Sequence, residues 1–205
     1  MADYIGKEDA VSVKLIREAG GIPFVKSNNP QIVFSMNTDN AIYGLAQNPH
    51  NLSRTTSGSS GGEGGLAAAQ CSPLGLGSDI GGSIRSPAAF CGVYGFKPTC
   101  YRSSYLGGVV PVPNNSVPQT TIIPSMGPIG SSVNDIKIMT EVLFKAFMHD
   151  SLLPPLPFNN DSYNEIVQLR TSRKLKIGYY DTLPLFESSN SIKRAIRIAK
   201  EKLEA

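Results

Sequence analysis

Residues 56–90 form the run TSGSSGGEGGLAAAQCSPLGLGSDIGGSIRSPAAF, which is dense in glycine and serine. Apolar residues recur through this run, and charge appears only at Glu63, Asp79 and Arg85. A flexible glycine-serine linker has neither an apolar pattern nor isolated charges. Glycine used in this way suits tight turns and a close approach of main-chain N–H groups to a ligand. The run therefore predicts a system of active-site loops.

The whole chain has the composition of a globular protein. It has 205 residues, enough for one large domain or for a piece of a bigger one, and its hydrophobic and charged fractions are 40% and 17%. The formal net charge is only +3, and the basic residues are scattered. We therefore expect no nucleic-acid partner.

The three cysteines, Cys71, Cys91 and Cys100, are odd in number and show no CxxC spacing. They argue against a disulfide framework and against a zinc site, so we expect no metal. The sequence shows no secretory signal pattern and no apolar run long enough to span a bilayer. An intracellular setting is the expectation.

Hydrophobic periodicity predicts an α/β fold. A helix is followed by Gly20-Gly21 and a short β-rich run, an order typical of this class. Ser132 is placed to cap a later helix, with Asp135 at the favourable third position. Two long segments, 27–53 and 99–131, are predicted as loops. The predicted helices are 7–19, 64–70, 84–90, one that begins at Ser132, and 191–203; the predicted strands are 22–26, 91–97 and 175–180.

Residues 58–62, GSSGG, match the GxSxG nucleophile elbow of α/β-hydrolases. That chemistry needs a histidine base and an acidic partner. The sequence offers only His50 and His149, and His50 precedes the serine although the elbow order places the histidine last. A surface position is the simpler interpretation of each histidine.

Ser83 is the other candidate nucleophile. It follows Gly81 and Gly82, so its loop presents a run of unobstructed main-chain N–H groups that could hold the oxyanion of a tetrahedral intermediate. A serine that caps a helix after a glycine turn would give the same pattern. The residues alone leave both interpretations open.

Three runs closely resemble the amidase signature family: GSSGGEG at 58–64, SPLGLGSDIGGSIR at 72–85 and FCGVYGFKPT at 90–99. Within the family the chain is similar to the fatty-acid amide hydrolase branch. This narrower resemblance uses the runs IPFVK at 22–26, NP at 48–49, PPLPF at 154–158 and KIGYY at 176–180. The implied fold is a mixed β-sheet core flanked by helices, of which residues 1–205 form an incomplete portion.

The resemblance implies a Ser–Ser–Lys triad that hydrolyses carboxylic amides, here fatty-acid amides, without a cofactor. Ser83 would be the nucleophile that becomes the acyl ester, and Ser59 the bridging serine that relays a proton to a neutral lysine. A serine hydroxyl needs such a base, and burial can lower the pKa of a lysine far enough for it to serve. Family members hold the bridging serine by a cis peptide bond, here Gly58–Ser59.

Further roles follow from the same resemblance. Main-chain N–H groups from Ile80, Gly81, Gly82 and Ser83 would form the oxyanion hole. The remaining implied positions are Ser60 and Arg85, which support the loop, and Val33, which with Ser59 contributes to substrate binding.

The family's catalytic lysine lies in a PVSVKD-type segment more than sixty residues before the bridging serine, and Ser59 has only 58 residues before it. Lys14 and Lys26 do not match that position. We expect this partial domain, which lacks the lysine segment and the downstream part, to be inactive alone. A silent relative that binds an acyl ligand or a partner is the alternative. Candidate partners are a small acyl amide, a second copy of the chain, and a membrane reached through elements outside the chain.

Overall fold

The computed structural model describes residues 5–108, 121–172 and 176–204. The chain divides into two compact units, Met1–Phe158 and Asn159–Ala205, and each is described by itself. Both helices and strands are present, which confirms the predicted α/β class. In the described part of the chain, no helix is long and apolar enough to cross a membrane.

The first unit contains a three-stranded sheet with β5 at its centre. The strands are β3 (Leu74–Asp79), β4 (Tyr94–Gly95) and β5 (Ser125–Gly130), in the order β3-β5-β4. The described pairs are antiparallel, and the β3–β5 register runs from Leu74 opposite Gly130 to Asp79 opposite Ser125. A separate antiparallel pair is formed by β1 (Gln47–Asn48) and β2 (Asn51–Thr55).

Four α-helices are found in the described part of the first unit. The helices are α1 (Val11–Glu18), α2 (Gly61–Ala68), α3 (Arg85–Cys91) and α4 (Val133–Leu143), with short 3-10 turns at Gln31–Val33 and Ala146–Met148. Three of them, α2, α3 and α4, contact the sheet. The predicted cap of α4 is confirmed, because the Ser132 hydroxyl accepts a hydrogen bond from the Asp135 N–H. The other helices begin or end a few residues from their predicted limits.

Glycines in β3 let two helices approach the sheet closely. A Cβ at Gly77 would lie 2.8 Å from Ser60 Oγ and 2.9 Å from a side-chain carbon of Ile84, so only glycine fits there. Ala67, Ile84 and Ile129 form the buried apolar cluster beneath this contact. The small residues of the glycine-serine run therefore act as packing surfaces that bring α2 and the start of α3 against the sheet.

Three predictions about strands were wrong in the first unit. The run at 22–26 has no regular secondary structure, and Ile22 is 84% exposed. The strand predicted at 91–97 shrinks to Tyr94–Gly95, because Cys91 is the last residue of α3. The segment predicted as a loop at 27–53 contains β1 and most of β2.

Two of the three sheet strands carry residues that are typical of loops. β3 contains Gly75 and Gly77, and no strand was predicted there. β5 falls inside the segment 99–131 that was predicted as a loop, and it carries Pro128 although it is the central strand. Proline is rare in such strands because it lacks an N–H, but its carbonyl is intact and accepts a hydrogen bond from the Phe96 N–H at 3.0 Å.

The second unit contains the helices α5 (Asn160–Ser172) and α6 (Asn190–Glu204). The prediction of a helix over 191–203 is confirmed, whereas α5 was not predicted. Residues 176–180 are not a strand, and the remaining residue of that predicted strand, Leu175, lies outside the described residues. No residue of α6 is buried, and its apolar side chains, such as Ile192 at 51%, are exposed.

Candidate active site

The first candidate serine lies where β2 leads into α2. Ser59 is 3% exposed, and the Gly58–Ser59 peptide bond is cis, as the resemblance implies. Ser60 directly precedes α2, and its N–H donates to the Ser83 carbonyl oxygen at 3.0 Å. This main-chain bond brings together the two loops that carry the predicted bridging serine and the predicted nucleophile.

The second candidate serine lies on the loop between β3 and α3, and Asp79 holds this loop. The Asp79 carboxylate is fully buried and accepts hydrogen bonds from the N–H groups of Gly82 at 2.7 Å, Ile84 at 3.1 Å and Arg85 at 3.2 Å. The Arg85 guanidinium adds two bonds of 3.0 Å, one to each carboxylate oxygen. Residues 80–83 are thus fixed at both ends by one side chain.

The charge of Asp79 follows from these contacts. Burial alone would raise its pKa, but the Arg85 guanidinium and the three N–H donors outweigh burial and lower the pKa to about 2. The carboxylate is therefore ionised throughout the neutral range. Arg85 was predicted to support the loop, whereas Asp79 was missed. The signal in the sequence was the pair of isolated charges, six residues apart, in the otherwise uncharged stretch 64–96.

Three of the four predicted oxyanion donors are available. Within the described residues, no acceptor is hydrogen-bonded to the N–H groups of Ile80, Gly81 or Ser83. The Gly82 N–H is different, because it donates to the Asp79 carboxylate. Gly82 has a φ of 125°, which side-chain-bearing residues rarely adopt, so it lets the loop turn.

The serine hydroxyls of this region fall into two groups. Ser57 donates to the Met36 carbonyl at 3.2 Å, and Ser60 donates to the Ser78 carbonyl at 3.4 Å, so both are used in holding the fold. Within the described residues, the hydroxyls of Ser59 and Ser83 make no such bond. These two hydroxyls are therefore not used in holding the fold, and the supporting role of Ser60 stays a prediction.

Val33 lies on a different loop, before β1. It is 42% exposed, its φ is 52°, and its N–H donates to the Pro30 carbonyl. In the described part of the chain it contacts neither Ser59 nor Ser83 by a hydrogen bond. The same loop does reach the site a few residues later, where Met36 accepts from Ser57.

The described lysines supply no partner for the serines. Lys14 is half-exposed on α1 and lies 4.0 Å from Glu18, while Lys26 is exposed. Among the described residues, no lysine amine is hydrogen-bonded to Ser59 or Ser83. The expectation that neither Lys14 nor Lys26 is the catalytic lysine agrees with these positions.

The histidines do not support the GxSxG interpretation. His50 uses its Nε2–H to donate to the Cys91 carbonyl at 2.9 Å, and His149 Nε2 lies 3.0 Å from a Glu18 carboxylate oxygen. Neither is hydrogen-bonded to Ser60. A histidine base beside the elbow serine is therefore missing from this arrangement.

The cysteines are all free thiols in the structure. Burial raises the pKa of the Cys91 thiol to about 11, so this residue stays protonated, and its sulfur contacts the Thr56 carbonyl oxygen at 3.7 Å. In the residues that the structure describes, no three metal-binding side chains come together.

The chain is similar to a known family and to several known proteins. A family model described as Amidase matches residues 1–205. Fatty-acid amide hydrolase 1 of Sus scrofa is 40% identical over 199 residues, which cover 96% of this chain and 33% of the relative. Vitamin D3 hydroxylase-associated protein of Gallus gallus is 39% identical over 202 residues, covering 98% of this chain and 41% of the relative.

A solved structure shows the same likeness in three dimensions. A fatty acid amide hydrolase superimposes with a TM-score of 0.78 and 28% identity, over 95% of this chain and 33% of that chain. The chain thus spans between a third and about two fifths of the length of these relatives.

Proposed function

Because the chain belongs to the amidase family, we propose that it carries the serine half of a site that hydrolyses carboxylic amides through an acyl ester on Ser83. The observation that carries this proposal is the hydrogen bond from the Ser60 N–H to the Ser83 carbonyl, which joins the loops of Ser59 and Ser83. Within the described residues, the hydroxyls of Ser59 and Ser83 make no hydrogen bond.

In the proposed mechanism the Ser83 hydroxyl oxygen attacks the amide carbonyl carbon while Ser59 takes its proton. Ser59 passes its own proton to the base, and the N–H groups of Ile80, Gly81 and Ser83 stabilise the oxyanion. The proton then returns through Ser59 to the leaving amine as the C–N bond breaks. Water releases the acid from the acyl ester by the same relay.

From the family resemblance, the base is proposed to be a lysine outside residues 1–205, because neither Lys14 nor Lys26 matches its position. Among the described residues, no lysine amine is hydrogen-bonded to Ser59. The chain is in this view a partial amidase domain with little or no activity of its own. A silent relative that keeps only acyl-ligand or partner binding is the second candidate. An intracellular location stays a prediction from the cysteine pattern. Membrane association through elements outside these residues and a homodimer also stay predictions.

Fatty-acid amides are the proposed substrate class. Two similar proteins, the Sus scrofa relative and the solved structure, are named as fatty-acid amide hydrolases, and the loop that follows Val33 carries exposed apolar side chains. Phe34 is 86% exposed and Met36 is 54% exposed, and the Met36 carbonyl is bonded to Ser57, two residues before Ser59. Such exposed groups would pack against an alkyl chain and gain about 25 cal/mol for each Å² of apolar surface removed from water.

A fluorophosphonate probe tests the nucleophile directly. We expect slow labelling of residues 1–205 that mass spectrometry places on Ser83, that disappears in Ser83→Ala, and that falls in Ser59→Ala. Ser53→Ala, an exposed serine on β2, is the matched control and should label normally. The same protein should show no measurable turnover of an acyl amide.

Each other outcome points to a different function. A folded protein without any adduct on Ser83 favours the silent relative. An adduct that is lost in Ser60→Ala and kept in Ser83→Ala favours the GxSxG hydrolase. Turnover of an acyl amide by residues 1–205 that depends on Ser83 would contradict the proposal that the base lies outside them.

A further inference from the structure

Thr38 is fully buried and reaches the loop of Ser59 from a separate part of the chain. Its hydroxyl donates to the Ser57 carbonyl at 2.8 Å, and the Ser59 carbonyl lies 3.3 Å from the same hydroxyl. The hydroxyl oxygen also accepts the Gly61 N–H at 3.1 Å. One side chain therefore holds main-chain atoms on both sides of Ser59.

The contact is too close to be incidental. A Cβ at Gly61 would lie 2.2 Å from Thr38 Oγ1 and 2.7 Å from Thr38 Cβ, so the residue at 61 must be glycine for Thr38 to reach its N–H. Thr38 is itself anchored, because its carbonyl accepts from the Ala46 N–H at 2.8 Å. The hydroxyl is thus a fixed point against which the serine loop is placed.

From these contacts we infer that Thr38 is a positioning residue that sets the direction of the Ser59 hydroxyl towards Ser83. The Ser59 carbonyl oxygen lies 3.3 Å from the Thr38 hydroxyl, and the next N–H, of Ser60, is bonded to the Ser83 carbonyl. Rotating the peptide unit after Ser59 would break the bond to Ser83 and would move the Ser59 carbonyl away from Thr38. Proton transfer depends steeply on such orientation, and a displacement of about 1 Å can cost about a hundredfold in rate.

The inference rests on the proposed function for its chemical meaning, but the geometry can be tested without it. Thr38→Val keeps the shape of the side chain and removes the hydroxyl, whereas Thr38→Ser keeps the hydroxyl. The matched control is Thr140→Val in α4, since Thr140 is also buried and donates to a main-chain carbonyl, that of Ile136 at 2.7 Å.

The first readout is NMR of residues 1–205, using the χ1 coupling and 13Cβ shift of Ser59. We expect Thr38→Val to change both signals, Thr38→Ser to restore them, and Thr140→Val to leave them unchanged. A purely structural role would alter signals throughout the unit instead. Ser59 signals that are the same in Thr38→Val and in the parent chain would overturn the inference.

The second readout is fluorophosphonate labelling of Ser83. The maximal labelling rate at saturating probe should fall about tenfold in Thr38→Val, with the half-saturating probe concentration unchanged because Thr38 does not contact the probe. Thr38→Ser should recover the rate. If the parent chain is not labelled at all, the proposed function fails, while the Ser59 signals still decide the role of Thr38.

Discussion

The glycine-serine run at 56–90 and the second unit at 159–204 use their residues in opposite ways. In the first, small residues allow main chain and helices to approach within van der Waals distance. In the second, α6 buries no residue, and no described atom lies within 4 Å of a Cβ at Gly178. A Cβ added at Gly61 or Gly77 therefore meets fixed atoms, whereas one added at Gly178 meets open space.

The same difference appears in the ion pairs. Asp79 and Arg85 are joined at 3.0 Å with a fully buried carboxylate, whereas Lys193 and Glu187 are joined at 2.6 Å with a carboxylate side chain that is 81% exposed. The shorter distance does not make the second pair more important, because water screens exposed charges and they add little to stability. Burial and additional N–H donors make Asp79 the structural centre of its loop.

The largest effect is expected from adding one methyl group to a glycine of the first region. The new Cβ in Gly61→Ala would lie 2.2 Å from Thr38 Oγ1 and 2.5 Å from Thr56 Oγ1, and both threonines are buried. Neither short side chain can move away, so we expect the free energy of unfolding to fall by about 3 kcal/mol in urea denaturation.

Gly178→Ala is the matched control in the second unit. Nothing lies within 4 Å of a Cβ at this position. We expect the free energy of unfolding to change by less than about 0.5 kcal/mol. Equal losses in the two variants would show that the described difference in packing between the regions does not exist in solution.

The second effect is a loss of stability at low pH. The pKa of Asp79 is lowered from 3.8 to about 2, so its contribution to stability is present above pH 3.8 and is lost as the pH falls from 3.8 to 2. The difference corresponds to about 2 kcal/mol. Urea denaturation at a series of pH values should show this loss in the first unit.

Asp79→Asn isolates that carboxylate from the other acidic groups. The variant should be less stable than the parent chain at neutral pH and should lose less stability between pH 3.8 and 2, because the titrating group is gone. Glu187→Gln, in the exposed pair of the second unit, should keep the parent's acid dependence. An unchanged acid dependence in Asp79→Asn would assign the effect to another group.

The sequence predicted those parts of the structure that depend on local signals. The Ser132 cap and the amphipathic α6 are defined by residues within one or two turns, and both were predicted correctly. β3 and β5 were missed, because Gly75, Gly77 and Pro128 are typical of loops and become strand residues only through pairing and close helix packing. The isolated run at 22–26 shows the reverse, since β-rich residues without a described partner do not form a strand.

The candidate site shows the same limit. The motif predicted the positions of Ser59 and Ser83, and the cis bond before Ser59 was expected from the resemblance. Asp79 holds its loop through local partners, Gly82, Ile84 and Arg85, and its spacing from Arg85 was a signal in the sequence. Thr38 could not be identified, because its partners, Ser57 and Gly61, lie about twenty residues away and are main-chain groups, which no residue type or spacing encodes.

The smallest effect is the removal of one methyl group from an isoleucine in each region. Ile84 is fully buried between Ala67 and Ile129, so Ile84→Val leaves a small cavity and should lower the free energy of unfolding by about 1 kcal/mol. Ile192 is 51% exposed on α6, and Ile192→Val should change the free energy of unfolding by only a few tenths of a kcal/mol. Urea denaturation of the two variants compares the regions with one substitution type. An equal loss of stability at Ile192 and at Ile84 would mean that the apolar side of α6 is covered in solution, for example by a second copy of the chain. If a second copy covers it, the free energy of unfolding will depend on protein concentration.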